Sequence, residues 1–126
     1  PKPSSAASDV YKRQVVEQKV SASPVVLFFR IGKATLDSKE LTNLEFYVRN
    51  AMKADKEKTF TLIGSADKAT GSKELNQRLS EQRMEYVYDL LKNKYGVAPE
   101  RLVRKAEGDT NNRFAEPELN RAVIVE

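Results

Sequence analysis

A β-rich run, Thr59 to Ile63, opens into a loop bounded by Gly64 and Gly71, and a long helical pattern starts at Ser72 or its neighbour. This strand–loop–helix unit constrains the chain more than any other feature. The switch from strand to helix periodicity fixes a junction between two layers of structure, one a sheet and one helical. It also delivers a single acid, Asp67, into the loop and a guanidinium, Arg83, onto the helix that follows.

The remaining segments fill out the same pattern. Val25-Val-Leu-Phe-Phe29 is short, β-branched and aromatic, and reads as a buried strand. Asp37-Ser38-Lys39-Glu40 has the form of a capping box, with Glu40 expected to reach back to the Asp37 amide. Leu41, Leu44, Val48 and Ala51 follow at helical spacing, and the helix is expected to end near Lys53 to Asp55. The second helix carries Leu75, Leu79, Val87, Leu90 and Leu91 as its apolar stripe, and Gly96 and Pro99 stop it. Leu102 to Ala106 and Ala122 to Val125 read as strands around a polar loop from Gly108 to Pro117. The order strand–helix–strand–helix–strand–strand predicts an α+β fold: a two-layer sandwich, with a mixed sheet and two main helices on one face. Residues 1–23, poorly patterned apart from Val15, Val16 and Val20, read as a linker or lead-in; residues 24–126 read as the domain.

Composition removes several chemistries. The 126 residues contain no cysteine and no histidine. Thiolate catalysis, disulfides, Cys-based metal sites and a Ser-His-Asp triad are excluded, and the commonest transition-metal ligand is missing. Ser80 has no base to activate it, and Asp109, Glu116 and Glu118 match no calcium-loop spacing. The expectation is a non-enzymatic protein without metal or cofactor. No apolar run approaches the length of a membrane-spanning helix, so the domain itself is not expected to insert in a membrane. The net charge of +4 comes from scattered residues with no basic run of five or more, which argues against nucleic acid. Tyr47, Tyr86, Tyr88 and Tyr95 fall at helical positions and read as packing residues.

The strand–helix junction has a usable geometry. Seven residues of α-helix turn through roughly 700° and rise about 10 Å, so Asn76 and Arg83 share one face with Leu79 between them. Asp67 lies just before the helix start, where free amides and the positive dipole end favour a carboxylate. An acid and a guanidinium so placed suit a zwitterion: Asp67 takes an ammonium, Arg83 a carboxylate through its fork, Asn76 offers donor and acceptor, and Leu79 an apolar floor. The commoner alternative for such residue types is internal, with Asp67 capping its own loop and Arg83 closing a salt bridge.

Spaced motifs weigh against that alternative. Gly64-x-x-Asp67, Gly71-Ser72, Leu75-Asn76, Leu79-Ser80 and Arg83 resemble the G-x-T-D…G-S…Y-N…L-S-x-x-R signature of the OmpA-like C-terminal domain family, shared with peptidoglycan-associated lipoproteins and flagellar stator proteins. Leu27-Phe28-Phe29 with Lys33-Ala34-Thr35-Leu36, Gly96-Val97 to Arg101-Leu102, Glu107-Gly108, and Asn120-Arg121-x-Val123 resemble further family segments in the right order. The resemblance covers residues 24 to 126. It implies non-covalent binding of the peptidoglycan stem peptide through meso-diaminopimelate, with Asp67 and Arg83 as the ligand-binding pair. Asn76, Leu79, Arg30, Ile31, Gly32 and Arg121 fall at matching pocket and rim positions. It also implies a periplasmic location, attached to an outer-membrane anchor in a Gram-negative cell. Replacing Asp67 or Arg83 by alanine is expected to abolish binding while the fold survives.

Four departures stand out. Ala66 replaces the usual threonine before the acid, Ala122 replaces the second arginine of N-R-R-V, the Asp67–Gly71 loop is one residue longer, and Phe29-Arg30-Ile31 stands where the family has F-D-F. They motivate a rival reading, a structural assembly domain that dimerises through the same fold with a degenerate pocket.

Overall fold

The computed structural model describes residues 23–126, so the lead-in expected over residues 1–23 lies outside the described residues but for Ser23. Four strands form one sheet: β1 is Val25–Phe28, β2 Phe60–Ser65, β3 Leu102–Ala106 and β4 Ala122–Val125. Their order is β1-β4-β2-β3. β2 and β3 run parallel, Phe60 opposite Leu102 through Gly64 opposite Ala106. β4 runs antiparallel to both neighbours, with Val125 opposite Val25 on one side and Leu62 on the other. The sheet is mixed, as the sequence pattern predicts, and the uninterrupted apolar run of β4 reflects its interior position, where every residue is buried.

Alternate residues of each strand point toward the helices. Leu27, Phe60, Leu62, Leu102, Val123 and Val125 form one core with Leu44, Val48 and Met52 from the first helical segment and Met84, Val87 and Leu91 from the second. Both helices therefore cover one face of the sheet. Helix α1, Ser38–Tyr47, continues through a π-helical turn, Val48–Met52. Helix α2, Lys73–Asp89, continues through Leu90–Lys94 and stops at Gly96, whose φ of 70° is the left-handed value a C-terminal glycine supplies. Tyr47 packs edge-on to Phe60, and Tyr86 edge-on to Phe29.

Three local details differ from the sequence reading. Asp37 does cap α1, accepting from the Glu40 amide at 3.2 Å. The Glu40 carboxylate does not return to Asp37; its Oε1 accepts from the Phe28 amide at 2.9 Å. β1 is an edge strand, its outward amide needs an acceptor, and α1 beside it supplies one. Lys53 to Lys58, whose alternating charges read in the sequence as a solvated turn, is tied to the segment before β3: the Met52, Asp55 and Lys58 carbonyls all accept from Arg101.

The third difference concerns α2. Val87 and Leu91 are buried as expected, but Leu75 is 45% exposed and Leu79 only half-buried. The first half of the helix buries Asn76, Ser80 and Arg83 instead. The cause is Gly64: a Cβ there would sit 2.1 Å from the Ser80 carbonyl oxygen and 2.9 Å from Met84 Cβ. Helix and strand backbones are in direct contact, which leaves no room between them for a leucine. Small and hydrogen-bonded groups fit; Ser80 Oγ donates to the Gln77 carbonyl at 2.8 Å and accepts from the Gly108 amide at 2.9 Å. Gly64→Ala is expected to push the helix off the strand, costing about 2 kcal/mol and lowering Tm by roughly 10 °C. A thermal melt that does not move would contradict this close contact.

Candidate functional site

The site lies where β2 ends. Ser65, Ala66 and Asp67 leave the sheet buried, and Asp67 is only 2% exposed. Its Oδ1 accepts from the Thr70 amide at 3.0 Å, which closes the loop into a turn of the Asx type. Its Oδ2 accepts from the Thr70 hydroxyl at 3.1 Å and from Arg121 Nε at 2.8 Å. Burial alone would raise the Asp67 carboxyl; the hydrogen bonds and charge of Arg121, with Thr70 and the Ala69 amide, outweigh it and hold the group below the ordinary aspartate range. Asp67 is an anion at neutral pH.

Arg83 is completely buried. Its guanidinium is held by backbone: Nε donates to the Lys33 carbonyl at 2.8 Å, Nη1 to Ser65 at 3.1 Å, and Nη2 to Arg30 at 3.3 Å. The Phe29 ring lies 5.4 Å from Cζ. Burial, and then repulsion from Arg121, lower its pKa to about 10 against the pull of Asp67, so it stays cationic at neutral pH. Of five N–H donors, three are committed to these carbonyls.

The structure places the two residues that the sequence singles out at one junction but pairs them differently. Asp67 does cap its loop, but its ion-pair partner is Arg121 rather than Arg83. Among the described residues Arg83 makes no salt bridge; its partners are three backbone oxygens. This burial argues against the expectation that Arg83→Ala leaves the fold intact, because removing the guanidinium takes a donor from all three carbonyls, of which only that of Arg30 keeps another, the Lys33 amide, among the loop and turn hydrogen bonds.

The other expected site residues take distinct positions. Asn76, 2% exposed, directs its Nδ2 at the Asp67 carbonyl (3.2 Å), the Thr70 carbonyl (2.9 Å) and Asp109 Oδ2 (3.0 Å). It clamps the Asp67–Gly71 loop to the loop after β3. Leu79 flanks Arg83 on the half-buried side of α2. Arg30, Ile31 and Gly32 form a turn closed by the Lys33 amide on the Arg30 carbonyl at 3.0 Å, with Gly32 at φ 67°. Ile31 is 57% exposed, and the Arg30 side chain reaches Asp37 at only 3.6 Å from an open position. The turn contributes carbonyls to Arg83 and leaves its side chains in solvent.

Thr70 and Asn112 escaped the sequence reading. Asn112 Oδ1 accepts from the Lys68 amide at 3.0 Å, and its Nδ2 donates to the Ala66 carbonyl at 3.0 Å, so it brackets Asp67 from both sides. In a polar loop one asparagine among several carries no signal of such a contact across 46 residues.

Because the folded-state pKa of Asp67 is depressed, its contribution to stability is fully present above the unfolded value of about 3.9 and is lost as pH falls through the lower, folded one. The Asp67–Arg121 pair is expected to contribute uniformly from pH 5 to 8 and to fail only in acid below about pH 4. Acid melts of wild type against Asp67→Asn measure this: the two stability curves should converge below that pH.

An open mixed four-stranded sheet with two helices on one face, carrying a buried acid and guanidinium at one strand–helix junction, defines an OmpA-like α+β domain. The OmpA family matches residues 28–123, and the chain belongs to that family. It is 36% identical over 99 residues to outer membrane protein 41 of Porphyromonas gingivalis (strain ATCC BAA-308 / W83), covering 79% of this chain and 25% of that protein. It is 32% identical over 102 residues to outer membrane protein 40 of the same organism, covering 79% of this chain and 26% of the relative. The chain thus spans about a quarter of the length of these relatives. Among solved structures it is similar to the OmpA-like domain of FopA1 from Francisella tularensis subsp. tularensis SCHU S4, with a TM-score of 0.72 and 25% identity over 81% of this chain and 69% of that one. The peptidoglycan-associated lipoprotein of Burkholderia pseudomallei shares the fold, with a TM-score of 0.71 and 17% identity over 79% of this chain and 86% of that one.

Proposed function

We propose that this domain binds the stem peptide of peptidoglycan non-covalently, through a diaminopimelate-type zwitterion, and so tethers an outer-membrane protein to the cell wall. The observation that carries this reading is the pair of opposite charges held at one junction: Asp67 kept anionic beside Arg121, and Arg83 kept cationic among three backbone carbonyls. Charges preset in this way bind a zwitterion with little further ordering once Arg121 has swung off the carboxylate. The ligand's ammonium takes the place of Arg121 Nε on the Asp67 carboxylate, and its carboxylate meets the N–H groups of Arg83 not engaged by carbonyls. The relatives named as outer membrane proteins support a location at the outer membrane, with this domain on the periplasmic side. No helix among the described residues is long and apolar enough to cross a membrane. Nothing in the site requires bond-making, and the domain acts by binding rather than as an enzyme.

A second reading has an observation of its own: Asp67 is internally paired and Arg83 is closed over by three carbonyls, as they would be in a domain that uses the fold only for assembly or homodimerisation. Calorimetric titration with meso-diaminopimelate and pull-down by purified peptidoglycan separate the two. Heat on titration and retention on peptidoglycan support binding; no heat, no retention and a concentration-dependent dimer support assembly.

A further inference from the structure

Helix α1 turns one whole side to solvent. Lys39, Asn43, Phe46, Arg49 and Lys53 follow one another at three- and four-residue steps and are all exposed, so they line one flank over about 20 Å. Thr42 and Asn50 stand beside them but turn back on the helix: Thr42 Oγ1 donates to the Ser38 carbonyl at 3.0 Å, and Asn50 Nδ2 to the Phe46 carbonyl at 2.8 Å. Phe46 is 63% exposed, more than any other large apolar side chain among the described residues. Lys39, Arg49 and Lys53 make no ion pair among the described residues. The acids nearby are engaged elsewhere. Asp37 accepts from the Glu40 amide and lies 3.6 Å from Arg30, and Glu40 accepts from the Phe28 amide on β1. Glu45 lies toward the end of α2, near enough to Tyr95 for its charge to raise that hydroxyl's pKa. The outer flank of α1 therefore carries three cations and an unpacked ring, with no acid between them.

A single exposed phenylalanine needs no explanation, and neither does a surface lysine. Their alternation along one flank, cleared of acids and of competing side-chain donors, is complementary to a surface that is anionic at its face and apolar just beneath. A nucleic-acid strand is served by a groove with several aromatic platforms, whereas this flank is convex and has one ring. We propose that the outer flank of α1 docks on an anionic phospholipid surface, with Lys39, Arg49 and Lys53 on headgroup phosphates and Phe46 among the first acyl carbons. The aliphatic stems of the three cations cover the boundary while their charged heads stay at the phosphates. Only the location beside an outer membrane is taken from the function proposed above; the peptidoglycan ligand plays no part in the contact.

The chain contains no tryptophan, so Phe46→Trp installs a single fluorescent reporter at the contact. Its emission is expected to shift to the blue with vesicles of equal parts phosphatidylglycerol and phosphatidylcholine, and to stay unchanged with phosphatidylcholine alone. Raising the salt to 1 M should reverse the shift. In co-sedimentation with the anionic vesicles, the double variant Lys39→Glu, Lys53→Glu should bind at least about 25-fold more weakly than wild type, roughly fivefold for each cation removed. Phe46→Ser should cost about tenfold. Lys92→Glu with Lys94→Glu changes the net charge equally at the end of α2 and should cost less than about threefold. All these side chains are exposed, so the variants are expected to melt like wild type. Equal losses from the two double variants would show attraction by net charge alone and overturn the proposal. An unshifted reporter overturns it too, as does an equal shift with a DNA duplex in place of vesicles. A blue shift that grows with protein concentration in the absence of lipid would assign this flank to self-association instead.

Discussion

Replacing Arg83 by alanine is expected to lower the melting temperature by roughly 15–30 °C, corresponding to about 3–5 kcal/mol. The side chain is the largest among those fully buried, and it lies among backbone rather than acids. Its removal takes a donor from the carbonyls of Lys33, Ser65 and Arg30, the last of which keeps the Lys33 amide, and takes away the cation over Phe29. Each buried acceptor left without a donor costs about 1–3 kcal/mol, less whatever water recovers. The three carbonyls come from the turn after β1 and from the end of β2, so Arg83 is what joins those segments to α2. Arg83→Lys retains a charge but not the planar fork, and should fall between alanine and wild type in stability while binding weakly. Thermal melts followed by circular dichroism measure all three proteins; an alanine variant melting within a few degrees of wild type would show that the guanidinium is not structural.

Asp67→Asn is expected to abolish retention on purified peptidoglycan and to weaken diaminopimelate binding at least hundredfold, about 2.7 kcal/mol. The amide is nearly the same size as the carboxylate and can still accept from the Thr70 amide, so the loop keeps its shape. What it loses is the charge. Arg121, 2.8 Å from Oδ2, is then left near Arg83 with no anion between them, and both now repel the ligand's ammonium. The expected stability loss, about 1–3 kcal/mol, is smaller than for Arg83→Ala because Arg121 is partly exposed and water can solvate it. Comparing the two variants separates function from scaffold: Asp67→Asn should fail to bind while folded, whereas Arg83→Ala should fail in both. Full retention of Asp67→Asn on peptidoglycan would remove the acid from the site.

The fold was legible in the sequence because its elements are short and strongly patterned. The Asp37 cap, the apolar run of β4 and the Gly96 stop all act locally, within a few residues of themselves. The apolar stripe of α2 was misread at Leu75 for a reason no helical wheel contains. Gly64 lies on another element, and its missing side chain lets Ser80 and Arg83 replace leucines on the buried face. Likewise Glu40 was assigned to its own helix cap because the edge amide of Phe28, 12 residues earlier, becomes its neighbour only when β1 takes the edge of the sheet.

The site divides along the same line. By itself the sequence determined which residues gather at the junction of β2 and α2, since Asp67, Asn76 and Arg83 are brought together by one loop and two turns of helix. Only the tertiary structure decided what each of them holds. Arg121 reaches Asp67 across 54 residues, and the carbonyls on Arg83 lie 18 to 53 residues away. Backbone oxygens are the same at every position, so no residue type marks the three that Arg83 selects. They are chosen by the path of the chain, which exists only once the sheet has assembled β4 between β1 and β2.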